Sequence, residues 1–197
     1  MTVQHTHSNV SNVSSLRQRH LILTACRAEL DSHADQCTIN QTAHIIEYLG
    51  KVAEVSGFAS SLDTLQKHPY SKAAQAYDDM ETGETFVLIF NQALYFEDQL
   101  PNILLNPYQM HTQGLIVDDC PKHLSIGKSA HSIVIEDENI TISLRLRGIM
   151  SYFNVRTPTL KEIEECVNIN MTPEHIEWEP YSDYHVEQEK GFDPEQT

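Results

Sequence analysis

Residues 140–147 alternate apolar and polar side chains without a break and are followed by Gly148. Successive side chains of a strand point to opposite faces, so this period of two predicts a strand with one face on a core and the other in water. Residues 86–90 are apolar throughout and follow the turn-forming sequence Glu81-Thr82-Gly83-Glu84, which predicts a strand buried on both faces. We predict further strands, and therefore a mostly all-β fold, from residues 21–30, 45–55, 115–117 and 132–135.

Two short helices are predicted from their capping residues. Asn106 fits the N-cap and Pro107 the first position of a helix that stops at Gly114. Thr159 and Glu162 have the spacing of a capping box, which predicts a short helix near the C-terminus. Both predictions rest on local side-chain chemistry rather than on a long helical period.

The net charge limits the possible functions of the chain, and composition divides the chain into three parts. The 197 residues, 40% of them hydrophobic, are enough for one core, but 28 acidic against 13 basic side chains give a net charge of −15. This charge repels phosphate backbones and excludes a basic nucleic-acid-binding surface. We predict a flexible polar leader over residues 1–18, one folded domain over residues 19–157, and an acidic tail with a short helix over residues 158–197.

The sequence carries no signal for export, membrane insertion or metal binding. The apolar run at residues 21–25 is too short for a signal peptide or a membrane span, so we expect a cytoplasmic protein with no membrane partner. Asp78-Asp79 and Asp118-Asp119 are predicted to be solvated turn residues. We expect no metal and no cofactor, because the four cysteines are far apart, with no C-x-x-C pair, at positions Cys26, Cys37, Cys120 and Cys166.

The sequence Asp31-Ser32-His33-Ala34-Asp35 directly follows a predicted strand. A carboxylate at a strand end is a candidate catalytic group, although Asp and Ser are also ordinary turn residues of a solvated loop. A serine-hydrolase triad within this pentapeptide is excluded, because neighbouring strand residues point to opposite faces. Asp31, His33 and Asp35 share one face, but a metal site would need a further ligand.

A second motif changes the interpretation of this loop. Residues 93–110 follow the predicted buried strand and contain Leu104-Leu105-Asn106. The two motifs, in this order, resemble the retropepsin-like aspartic protease region of copia-type retrotransposon Gag-Pol polyproteins. The resemblance covers residues 20–120, and residues 148–153 are similar to the continuation found in related polyproteins.

The resemblance implies a fold and a role for each motif residue. The fold would be a retropepsin-like closed β-barrel with one short helix after the Leu-Leu pair. Asp31 would be the catalytic carboxylate, and Ser32 would bond across to the opposite loop. Ala34 would keep the loop compact, and Leu104 and Leu105 would pack behind it.

The resemblance also implies a homodimer. The chain has one such aspartate motif, so a working site needs Asp31 from two subunits on a two-fold axis. The substrate would be a polypeptide, namely the chain's own Gag-Pol polyprotein, in the cytoplasm or within virus-like particles. Gly50 and Gly57 are candidate hinges of a flap over the substrate, or alternatively belong to an ordinary hairpin.

Two residues differ from the family pattern. His33 stands where most retropepsins have Gly, and Asn106 follows the Leu-Leu pair where Gly is expected. A glycine permits close approach of the backbone to a substrate, so His33 favours a second hypothesis, a catalytically inactive retropepsin-like binding or assembly domain. His33 is also a candidate pH-responsive neighbour of the carboxylates. A third hypothesis is an unrelated β-sandwich interaction domain in which the pentapeptide is only a turn.

Overall fold

The computed structural model describes residues 25–55 and 66–190. Strands dominate these ranges, so the prediction of a mostly β fold is confirmed. The strands are β1 (Ala25–Leu30), β2 (Thr38–Ile39), β3 (His44–Val55), β4 (Gln66–Asp78), β5 (Thr85–Tyr95), β6 (Ile103–Leu105), β7 (Ile116–Asp118), β8 (Ser132–Ile135), β9 (Ile140–Ser143), β10 (Arg145–Arg147), β11 (Met150–Arg156) and β12 (Asn168–Asn170). The helices are α1 (Pro107–Thr112), α2 (Leu160–Glu165) and α3 (Asp183–Lys190).

Six strands pair in a closed circuit. β11 pairs antiparallel with β1, β1 pairs parallel with β6, and β6 pairs antiparallel with β2. β2 then pairs parallel with β5, β5 pairs antiparallel with β4, and β4 returns to β11 where Ala76 faces Arg156. Side chains from these strands form one buried cluster that includes Ala28, Leu30, Ile39, Ala73, Leu88, Phe90, Leu105 and Phe153.

The central strand β5 is buried on both faces, as its continuous apolar run predicts. Leu88 and Phe90 belong to the main core. Val87 and Ile89 belong to a second cluster, against which Ile163 of α2 packs. The capping box of α2 therefore positions a helix that covers the second face of β5.

A three-stranded antiparallel sheet, β7–β8–β9, lies beside the circuit. The prediction of one strand over residues 140–147 is wrong, because the chain changes partner at Leu144. The backbone N–H of Leu144 donates to the carbonyl of His131 at 2.9 Å, after which β10 pairs with β11 instead of β8. The alternating apolar residues Ile140, Ile142 and Leu144 are nevertheless buried, as the period of two predicts.

The remaining local predictions fall close to the structure. β8 has the predicted bounds, while β3 and β7 each begin one residue away from the prediction. The prediction over residues 21–30 corresponds to β1, and residues 21–24 lie outside the described residues, as does the predicted leader, residues 1–18. Helix α1 has the predicted Asn106 cap, but it ends at Thr112, two residues before Gly114.

The acidic tail is more ordered than a solvated segment. It contains the capped helix α2, with Thr159 and Glu162 in the predicted capping box, the short strand β12, and helix α3. β12 adds to the edge of β5, where Asn168, Ile169 and Asn170 align with residues 87–89. Trp178 is buried, whereas the described residues that follow it are mostly exposed.

Candidate active site

Asp31 lies at the end of β1, where β1 and β6 run parallel. The backbone N–H of Asp31 donates to the carbonyl of Leu105 at 2.9 Å. Leu105 is fully buried in the core and Leu104 is half-buried. The Leu-Leu pair therefore fixes the position of the aspartate, since it continues the strand pairing by one residue beyond β1.

A tight turn follows Asp31. Its carboxylate Oδ1 accepts a bond from the backbone N–H of His33 at 2.9 Å, and its carbonyl accepts one from Ala34 at 3.3 Å. The Asp31 side chain keeps 31% of its surface exposed, and Ser32 is exposed beside it. The turn thus presents one carboxylate and one hydroxyl to the outside of the fold.

His33 fits this turn without backbone strain. Among the described residues, the non-glycine positions with positive φ are Glu97, His131 and Asn139, so the backbone at His33 does not need glycine. The imidazole is 90% exposed, with Nδ1 3.9 Å from Oδ1 of Asp31. His33 therefore changes the surface beside the carboxylate rather than the course of the chain.

Asn106 holds the loop from behind. Its amide Nδ2 donates to the carbonyl of Ala34, and its Oδ1 accepts the backbone N–H of Gln109 at 2.9 Å as the N-cap of α1. The backbone N–H of Asn106 donates to Sγ of Cys37 at 3.2 Å. The Asn106 side chain, which stands in place of the expected glycine, thus has a structural role, because it both caps α1 and bonds to the loop.

Cys37 and two glutamines complete the support. The backbone N–H of Cys37 donates to Oε1 of Gln109 at 2.9 Å, and Nε2 of Gln109 donates to the carbonyl of Gln92 at 2.9 Å. Burial raises the pKa of the Cys37 thiol to about 12, so this sulfur remains a protonated structural group. All four cysteines of the chain are free.

A cavity of about 650 Å³ opens beside Asp31. Its lining includes Asp31, residues 33–36 of the loop, and residues 53–55 at the end of β3. Its apolar lining comes from residues such as Leu94, Leu100 and Leu104. A carboxylate beside an apolar cavity of this size suits the binding of one or two side chains of a polypeptide.

The candidate flap is described in part. β3 and β4 form an antiparallel arm whose pairing extends to Val55 and Gln66. Gly50 has a φ of 71° and lies at a register shift in this arm, between Tyr48 and Val52. Gly57 lies outside the described residues.

Two predicted turn aspartates have specific partners. Asp78 is the exposed last residue of β4 rather than a turn residue, and its carboxylate accepts two bonds of 2.7 Å from Arg156. Asp118 accepts bonds from Ser129 and from the backbone of Ala130, which lower its pKa. In the described part of the chain, we find no group of three or more metal-ligating side chains placed to hold an ion.

Four residues near the site carry contacts that motif analysis missed. Trp178 donates its indole N–H to the carbonyl of Asp35 at 2.8 Å, and the Tyr181 hydroxyl donates to the Asp35 carboxylate at 2.7 Å. Gln92 bonds to the same C-terminal segment. The signal in the sequence is the presence of two aromatic residues, Trp178 and Tyr181, within an acidic tail. They are compatible with an anchor to the body of the protein and equally with a docking segment toward the next polyprotein domain.

Comparison with protein-family models, with curated proteins and with solved structures found no match to this chain. Within the ranges that the structure describes, no helix has both the length and the apolar character needed to cross a membrane.

Proposed function

We propose that this chain is a retropepsin-like aspartic endopeptidase of a retrotransposon, which acts as a homodimer in the cytoplasm and cleaves its own Gag-Pol polyprotein. The observation that carries the proposal is the position of Asp31. It lies at the end of a strand, its backbone is bonded to the Leu105 carbonyl at 2.9 Å, and its side chain lines an apolar cavity of about 650 Å³.

Peptide hydrolysis would use two carboxylates and a water. Two carboxylates about 3 Å apart cannot both ionise, so they share one proton. The ionised carboxylate takes a proton from the water as it attacks the peptide carbonyl, and the protonated one donates to the carbonyl oxygen, which gives a tetrahedral diol. The carboxyl that took the water proton then donates it to the amide nitrogen as the C–N bond breaks and the amine leaves. The other carboxylate takes a proton from a diol hydroxyl, so the pair again holds one proton. Because each chain supplies one Asp31, the second carboxylate comes from a second copy, with the exposed Ser32 of each chain beside the contact.

A second candidate function is a binding or assembly domain without catalysis. The observation that favours it is the His33 side chain, which is 90% exposed and lines the same cavity as Asp31. An imidazole there takes space that a glycine would leave to the backbone of a bound peptide. The supported loop behind it would still hold a partner segment.

Cleavage of a peptide library between about pH 4 and 7 tests the proposal, because a carboxylate dyad gives a bell-shaped profile. Asp31→Asn should abolish cleavage, whereas Asp137→Asn in the exposed turn between β8 and β9 should not. Sedimentation of the same samples should show a dimer. Cleavage that survives Asp31→Asn refutes the proposal.

Two further results would support the alternatives. A dimer that does not cleave, but cleaves after His33→Gly, would assign the loss of activity to His33 and favour the binding domain for the natural chain. A monomer at high concentration that cleaves nothing would favour an unrelated interaction domain.

A further inference from the structure

Residues 173–182, here called the strap, lie between the arm of β3 and β4 and the loop that carries Asp31. The strap lines a cavity of about 1010 Å³ together with Leu49, Val52 and Tyr70 of the arm. Its Pro180 and Tyr181 also line the cavity beside Asp31. The C-terminal segment therefore runs along the side of the domain where the proposed substrate would enter.

Gln92 of β5 binds the backbone of the strap. Its Nε2 donates to the carbonyls of Pro173 and Ile176 at 2.8 and 2.6 Å. Its Oε1 accepts the backbone N–H of Trp178 at 3.0 Å. One amide thus makes three bonds to main-chain atoms, a form of recognition that does not depend on the side chains of the bound segment.

The strap is anchored to the catalytic loop itself. Trp178 is 7% exposed and its indole N–H donates to the carbonyl of Asp35, four residues after Asp31. The hydroxyl of Tyr181 donates to the carboxylate of the same Asp35. Both bonds go to Asp35, and they hold the strap along the cavity beside the Asp31 carboxylate, where Pro180 and Tyr181 form part of the lining.

Charge complements these contacts. Glu174 of the strap pairs with Lys72 of β4 at 2.9 Å, and Glu177 pairs with Lys51 of β3. Exposed pairs of this kind contribute little to affinity, but they set the register of an acidic segment against two lysines.

We propose that the strap is a built-in occupant of the substrate groove, which keeps the endopeptidase inhibited until the segment is displaced. This inference rests on the proposed function, because it concerns access to the Asp31 site. A polypeptide substrate must compete with a segment of the same chain, whose effective concentration is in the millimolar range for a short tether. Weakening the strap therefore raises the fraction of chains that are open to substrate.

A binding experiment tests the groove without any need for cleavage. A fluorescein-labelled peptide with the sequence of residues 173–182 should bind the full chain carrying Trp178→Ala and leave the wild-type chain unbound, as followed by anisotropy. Circular dichroism checks that the variant is folded. Equal binding of the peptide to both chains, or binding to neither when both are folded, overturns the inference.

A conservative pair of variants tests inhibition even where Trp178→Ala fails to fold. Tyr181→Phe removes only the hydroxyl bonded to Asp35, and Tyr184→Phe, on the exposed side of α3, is its matched control. Losing one exposed hydrogen bond to a carboxylate should raise kcat/KM about fivefold in Tyr181→Phe and leave Tyr184→Phe unchanged. Unchanged kcat/KM in Tyr181→Phe overturns the inference.

The single tryptophan of the chain gives a third measurement. Acrylamide should quench Trp178 emission more strongly in Tyr181→Phe than in Tyr184→Phe. Failure of the proposed function has a different signature, because then no variant cleaves while the peptide still binds Trp178→Ala. If all variants cleave with equal kcat/KM and acrylamide quenches their Trp178 emission equally, the endopeptidase proposal is retained and the inhibitory role of the strap is refuted.

Discussion

Arg156 joins three elements at the place where the strand circuit closes. It is the last residue of β11 and faces Ala76 of β4 in the pairing that completes the circuit. Its guanidinium donates two bonds of 2.7 Å to Asp78, at the end of β4. It also donates bonds of 3.0 and 2.7 Å to Glu162 in the first turn of α2. We therefore expect Arg156→Met, which keeps the apolar stem and removes the guanidinium, to weaken the whole fold.

The size of the effect follows from burial. The side chains of Arg156, Asp78 and Glu162 are 17%, 47% and 22% exposed, so the cluster lies between a surface pair and a buried one. Removing one partner costs 3–5 kcal/mol in a buried pair and about 0.2–1 kcal/mol at the surface, which places the loss here at about 2–3 kcal/mol. For a chain of this size the melting temperature should fall by about 5–10 °C.

Urea unfolding measures the change, with Arg147→Met in the exposed strand β10 as the matched control. The pH dependence gives a second signature. Arg156 lowers the pKa of Glu162 from its ordinary 4.5 to about 2 and also lowers that of Asp78. A lowered carboxyl pKa contributes stability above pH 4.5 that is lost as the pH falls toward 2, so the difference between wild type and Arg156→Met should shrink over that range. A variant within about 0.5 kcal/mol of wild type at pH 7, as expected for a surface change, would refute the role given to this cluster.

Two further outcomes are expected around the loop. Asn106→Ala should lower the free energy of unfolding by about 1–2 kcal/mol, because the cap of α1 is lost, and should reduce cleavage. Asn106→Ser keeps an uncharged capping oxygen and removes the amide that bonds to Ala34, so its unfolding free energy should stay closer to wild type while cleavage still falls. Equal stability losses in both variants would contradict this division. The exposed Cys120 should react with a thiol reagent at pH 8 in the folded chain, whereas the buried Cys37, with its pKa of about 12, should react only on unfolding. Modification of Cys37 before unfolding, located by peptide mapping, would contradict its burial.

Local chemistry made several elements predictable from the sequence. Strand β5 is identified by a continuous apolar run, and β8 by a short β-rich segment between turns. Helices α1 and α2 are short, but each begins at a cap whose partner is three residues away, as in Thr159 and Glu162. These capping patterns predict the helices correctly because the interacting residues lie within one helical turn of each other.

Strand β4 shows why other elements were missed. It carries Pro69 and the alanines at positions 73, 74 and 76, which have low β propensity, so its sequence does not suggest a strand of 13 residues. The partners that make it a strand are β3 and β5, which pair with it on both edges. Strands β2, β6 and β12 span two or three residues each, which is too short for a periodic pattern.

The candidate site also has one part that could be predicted from the sequence and one part that could not. The loop from Asp31 to Ala34 and the pair Leu104-Leu105 were singled out from the sequence because of a resemblance in motif order and spacing. The contacts of Trp178 and Tyr181 with Asp35 span 143 and 146 residues of sequence, and nothing in a single chain specifies such a pairing. Their physical cause is the burial of an aromatic ring with a polar group that needs a partner.

The two departures from the family pattern have opposite physical consequences. Asn106 is 3% exposed and tethers the loop while capping α1, so its side chain contributes to the order of the site. The backbone N–H of His33 bonds to Asp31, whereas its imidazole is 90% exposed and lines the cavity beside Asp31. Replacing a side chain that only obstructs a groove leaves the loop in place, whereas replacing a side chain that supports the loop disturbs it. The turn that carries Asp31 is therefore held by its own backbone bonds and by Asn106, and His33 and the strap residues Pro180 and Tyr181 line the cavity beside it.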